Sequence, residues 1–177
     1  MAIETETHGD LTLTLDYCAH ADESPREYET STFFGFHGRV ISPDPAPDSN
    51  PETARAIALR PENICLPVFL YQHGGSVYTA SADGNPFHCP WDSGLFGFIY
   101  ISRADARERY GVKRITKALQ ERIRESLKVE VDTYSQWANG EVYRWTIEDA
   151  DGEIIDSCGG YYDQESAMAD ARGALAA

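Results

Sequence analysis

The sequence predicts an α+β fold: a mixed, largely antiparallel sheet with one long amphipathic helix packed across a face and short helices flanking it. Three features point there. Ile115, Leu119, Ile123, Leu127, Val131, Tyr134 and Ala138 recur at spacings of four and three, which lays one apolar stripe along a single long helix. Before it, residues 66–72 and 76–80 flank His73-Gly74-Gly75 as a β-hairpin. After it, residues 141–148 and 153–158 flank Asp149-Ala150-Asp151-Gly152 as another. Hairpins on both sides of one striped helix bury their apolar faces most simply as a sheet with that helix across it.

The remaining elements follow in chain order. Leu11, Leu13, Leu15 and Tyr17 alternate with Thr12, Thr14 and Asp16, the period-two pattern of a strand with one buried face. Residues 33–41 are apolar and aromatic enough for a second strand, although Gly35 and Gly38 weaken it. Residues 43–51 carry four prolines and read as an exposed loop, because proline removes a backbone donor and holds its predecessor extended. A short helix is expected at 53–59, ahead of Pro61. Residues 81–94 are dense in turn formers yet contain Phe87, Cys89 and Trp91, which favour burial, so they read as a structured loop. A central strand follows at 95–101, then Ser102 as the cap of a short helix at 103–109. The long helix stops at Asn139-Gly140, and an alanine-rich helix at 164–174 closes the pattern.

A chain of 177 residues lies within the roughly 100–200 residues expected of one domain, so 1–177 reads as a single domain. At 42% hydrophobic and 11% aromatic it holds ample core-forming side chains. No apolar run approaches the roughly 18 residues of a membrane span, and Met-Ala-Ile-Glu-Thr-Glu-Thr-His is unlike a secretory signal. A cytoplasmic location without a membrane partner is expected. Cys18, Cys65, Cys89 and Cys158 are scattered without a CxxC pair, which fits reduced thiols rather than a disulfide framework.

The formal charge is −14, so phosphate backbones are repelled on average. The charge is uneven. Residues 103–128 hold nine basic side chains against four acids, a local +5 that leaves −19 for the rest. Arg103, Arg107, Arg114, Lys117 and Arg124 form the candidate basic face for nucleic acid. The competing reading is a solvated helix laced by Glu121 with Arg124, Glu125 with Lys128 and Lys128 with Asp132. The acid excess, with only three lysines, also suits a protein working at high salt.

Several constellations bear on chemistry. Cys89 or Cys158 as nucleophile, His73 or His88 as base and Asp92 or Asp156 as orienter are the types that thiol catalysis needs, against the plainer reading of buried, inert thiols. Trp91, Asp92 and Ser93 read as a pocket rim or as a core plug under a loop. The candidate pocket is therefore His73, His88, Cys89, Trp91, Asp92, Ser93 and Cys158. Adjacent His88-Cys89 is awkward for one tetrahedral zinc, and Asp149-Ala150-Asp151-Gly152-Glu153 lacks the calcium-loop register, so no metal or other cofactor is expected.

Ser24-Pro25-Arg26-Glu27, the run from Leu66 to Gly75, Pro86-Phe87-His88-Cys89-Pro90-Trp91-Asp92-Ser93-Gly94 with its continuation to Tyr100, the run Glu130 to Trp137, and Ile155-Asp156-Ser157-Cys158 together resemble a family of phage and mobile-element proteins without a settled activity. The chain departs from that pattern around 29–36 and carries Gly159-Gly160 where a bulky aromatic is expected. The resemblance implies a viral or mobile-element protein inside a host cell. With the acidity, it leads to the expectation of a non-enzymatic protein that binds a host factor, as an anti-defence or nucleic-acid-mimicking inhibitor. The alternatives are a small-molecule or cysteine-dependent catalytic site at the Cys-Pro-Trp-Asp-Ser-Gly loop, and nucleic-acid binding through 103–128.

Overall fold

A computed structural model describes residues 2–19, 21 and 23–176. The fold is α+β, with each of its two four-stranded sheets antiparallel throughout. The chain divides into two compact units, Met1–Ser24 with Gln136–Ala177, and Pro25–Ser135.

The first unit contains β1 (Glu4–His8) and β2 (Leu11–Tyr17) from the beginning of the chain. The second begins with β3 (Thr32–Gly35), α1 (Pro51–Ala58), β4 (Asn63–Gln72), β5 (Ser76–Ala80) and β6 (Ser93–Ser102). It continues through α2 (Arg103–Arg109) and most of α3 (Lys117–Ala138). The chain then returns to the first unit with β7 (Tyr143–Glu148), β8 (Ile154–Tyr161) and α4 (Gln164–Leu175).

In the first unit the strand order is β1-β2-β7-β8. Leu13 and Leu15 point to one face, where Tyr143, Trp145 and Ile147 join them under Ala167, Met168 and Ala171 of α4. Asp163 caps α4 by accepting from Ser166 N at 2.7 Å. The first strand carries no apolar side chain, so the hydrophobic pattern did not announce it. It pairs through Glu6↔Leu13, and Arg172 of α4 reaches over to Glu6. The Arg172 guanidinium, helped by His8, holds the Glu6 carboxyl down at about 2.

In the second unit the order is β3-β6-β4-β5, and both faces are covered. Successive side chains on a strand point to opposite faces. Phe34 accordingly packs with Phe98, Ala54 and Ala58 on the α1 side. Phe33 turns the other way to Tyr134 of α3, ring centroids 5.4 Å apart and nearly perpendicular, and Tyr134 also meets Tyr78 at 5.3 Å. Burying a ring such as Phe33 or Phe34 is worth about 1.5–3 kcal/mol. Ile123, Leu127 and Val131 continue the buried stripe of α3, as their spacing predicted.

Two expectations need correction. The strand at 33–41 stops at Gly35, because Ser42 Oγ accepts from Gly35 N at 3.1 Å and Asp44 Oδ2 accepts from Phe33 N at 2.6 Å, drawing the chain back over the strand edge. Along the proline-rich loop, Pro45 and residues 49–51 are exposed, whereas Pro43, Asp44, Ala46, Pro47 and Asp48 are half-buried. Ser93 and Gly94, expected in a loop, pair with Tyr71 and Leu70 as the start of β6.

Candidate functional site

The loop between β5 and β6 is built by its own polar side chains. Asn85 Oδ1 accepts from Phe87 N at 3.0 Å, and Asn85 Nδ2 donates to Ser93 Oγ at 3.0 Å. Ser93 Oγ donates to the Cys89 carbonyl at 2.6 Å, and Gln72 N donates to the Asp92 carbonyl at 2.8 Å. Phe87 stacks on Tyr71 at 5.4 Å. With Phe87, Cys89 and Ser93 all tied back, the residue left at the tip is Trp91, which is 92% exposed. The alternative of a tryptophan plugging the core is overturned.

Below that tip lies a cleft of about 480 Å³ lined by Leu70, Leu95 and Phe96 with His37, Arg39, Gln72, Trp91, Asp92 and Ser93. Its apolar floor comes from β4 and β6, and its far wall is the 37–39 segment displaced by the early end of β3. An indole on a pinned loop beside an apolar floor with a polar rim has the anatomy of a recognition site.

Of the predicted pocket residues, His73, Cys89, Asp92 and Ser93 come together. One oxygen, Asp92 Oδ2, accepts from Cys89 Sγ at 3.2 Å and lies 3.7 Å from His73 Nδ1. Thiol catalysis needs the imidazole on the sulfur, whereas here the carboxylate stands between them. His88 is exposed and takes no part in that cluster. Cys158 belongs to the first unit, exposed on β8, with its sulfur near the Gly159 carbonyl and the Tyr161 hydroxyl. Among the described residues, no group of three or more His, Cys, Asp or Glu side chains is arranged to hold a metal ion. The Asp149 turn is a hairpin turn, its Oδ1 accepting from Asp151 N and Glu153 N.

A second cluster, in the same unit as the Trp91 loop, joins residues far apart in the chain. Arg26, buried in the loop before β3, donates to Glu130 Oε2 at 2.9 Å, to Asp44 Oδ2 at 2.8 Å and to the Ser31 carbonyl at 2.8 Å. Arg109 donates to Glu130 Oε1 at 2.9 Å and to Glu29 Oε2 at 3.3 Å. Burial opposes the Arg26 charge, but the hydrogen bonds and attraction of Asp44 and Glu130 outweigh it and hold the guanidinium above its ordinary value. Glu29 is pushed up by burial and by the like charge of Glu130, only partly relieved by Arg109 and Arg26. A cavity of about 190 Å³ lies against this network, walled by Pro25, Ser126, Val129 and Thr133. Arg26 and Glu130 stand 104 positions apart, beyond the reach of any spacing rule.

In the basic segment, Arg124 pairs with Glu121 and Lys128 with Glu125, each at 2.8 Å, as the spacing predicted. Arg103 instead donates to Gln120 Oε1 at 2.8 Å and to the Pro61 carbonyl at 3.1 Å. No described helix is long and apolar enough to cross a membrane.

Comparison of the chain with family models, with curated proteins and with solved structures found no match.

Proposed function

We propose that the chain is a non-enzymatic binding protein that engages a partner protein through the Trp91 loop and the cleft beside it. The observation that carries this reading is Trp91, 92% exposed at the tip of a loop whose other aromatic ring, Phe87, is stacked on Tyr71. Water-exposed indole is unfavourable, and a pinned loop loses little conformational entropy on association, so insertion into a partner pocket recovers both terms. Leu95, half-exposed on the floor, and Arg39, Gln72 and Asp92 on the rim supply the apolar centre and polar border that such contacts use. The partner is a host factor, following the resemblance to mobile-element proteins, and the charge of −14 favours one with a basic surface.

Thiol chemistry at the same loop is the weaker reading, since Asp92 rather than His73 meets the Cys89 sulfur. The test is capture from host lysate by the tagged chain and by Trp91→Ala, compared quantitatively by mass spectrometry. One or more partners retained by the wild type and depleted at least about ten-fold by the variant support the proposal, a loss in the range of a single interface anchor. Identical captured sets from the two proteins sink it.

A further inference from the structure

The hydrogen bond from Arg103 to Gln120 joins two helices whose basic faces the sequence leaves separate. On α2, Arg107 lies one turn beyond Arg103 on the same face. On α3, Lys117 and Arg124 lie three residues before and four after Gln120, again on one face. Docking Arg103 onto Gln120 therefore sets these two rows side by side, with Arg114 exposed in the connection that leads into α3.

Charge is sorted about α2 in the same way. Its acids, Asp105 and Glu108, lie on the other side and line a recess with Tyr28, Glu29 and Arg109. Along the strip Glu121 pairs with Arg124. Among the described residues, Arg103 is bonded only to neutral oxygens, so it keeps its charge uncompensated beside Arg107, Arg114 and Lys117. The first turn of α3 has no acid and begins with Lys117, the reverse of what the positive end of a helix dipole favours. A local conflict of that kind is relieved when an anion arrives.

We infer that this strip is a sequence-independent contact surface for the phosphate backbone of a nucleic acid. The arrangement is a row of cations rather than a pocket, which suits successive phosphates better than one isolated phosphate. None of the large apolar side chains of 103–128 is exposed, so the strip lacks the wedge that a lipid surface takes up. The rest of the protein carries strong negative charge, but at about 0.1 M salt screening confines that repulsion to roughly 10 Å.

The test is fluorescence anisotropy of the full chain with labelled mixed-sequence DNA and RNA, single- and double-stranded, from about 20 to 200 mM salt. Arg107→Gln with Lys117→Gln is compared with Arg55→Glu on α1, which changes the net charge by the same amount. The expected result is binding by the wild type that weakens about ten-fold in the double variant, with a salt slope lower by about two, and stays within about two-fold in the control. No binding at the lowest salt overturns the inference, as does equal weakening by the control. Retention of anisotropy by Trp91→Ala is expected, so this surface and the Trp91 site stand or fall separately.

Discussion

Arg26 and Glu130, 104 positions apart in the chain, meet in a 2.9 Å ion pair with side chains only 3% and 6% exposed. Asp44 and Arg109 complete the compensation on either side. Removing one member of such a pair leaves an uncompensated buried charge, which costs about 3–5 kcal/mol. Arg26→Met is therefore expected to lower the unfolding free energy by that amount in urea denaturation. Arg124→Met, from the exposed pair with Glu121, is expected to cost less than about 1 kcal/mol. Equal, small losses for both would mean that water reaches the Arg26 network freely.

Glu29 gives the network a pH signature opposite to the usual one for a carboxylate. Its folded-state value is raised, first by burial and then by Glu130, so the folded protein holds a proton there that the unfolded chain has released. The stabilising contribution is thus complete below the ordinary glutamate value of 4.5 and lost as pH rises through the raised one. Glu29→Gln, which mimics the protonated form, is expected to raise the melting temperature at pH 7 and to leave it unchanged near pH 4. A lower melting temperature at pH 7 would show that the Arg109 contact outweighs the repulsion from Glu130.

The sequence carried the elements whose signal is local. The stripe of Ile123, Leu127 and Val131 placed α3, and His73-Gly74-Gly75 placed the turn between β4 and β5 almost to the residue. What it could not carry depends on partners distant in the chain. Strand β1 has no apolar pattern and is held by pairing with β2 and by Arg172, 166 positions from Glu6. The composition of the Trp91 loop argued for burial, and only the anchoring of Phe87 on Tyr71 and of Ser93 on Cys89 shows which aromatic is left outside. Arg26 with Glu130 is invisible to spacing rules for the same reason.

The four cysteines are expected to separate in reactivity. Cys158 is exposed, whereas burial pushes the Cys65 thiol up to about 12. At pH 8 only roughly one Cys65 in ten thousand is then thiolate, the reactive form. With a disulfide reagent on the folded protein, Cys158 should modify first and Cys65 only after denaturant is added, with peptide mapping to assign each. Fast modification of Cys65 in the native state would show that β4 opens readily.

The close crossing of β3 and β6 supplies the sharpest steric prediction. Gly35 and Gly97 are paired in register, and a Cβ on Gly97 would lie 1.9 Å from the Phe34 carbonyl oxygen. That neighbour is backbone and cannot swing aside, so Gly97→Ala must displace β3 and with it Phe33 and Phe34 on their two faces. A cost of at least about 1–3 kcal/mol is expected. Gly173, in α4, has open space around its Cβ position, and Gly173→Ala is expected to stabilise by up to about 0.5–1 kcal/mol through helix propensity. Thermal unfolding of the two variants should therefore shift in opposite directions. If Gly97→Ala melts with the wild type, β3 and β6 do not approach as closely as the register requires.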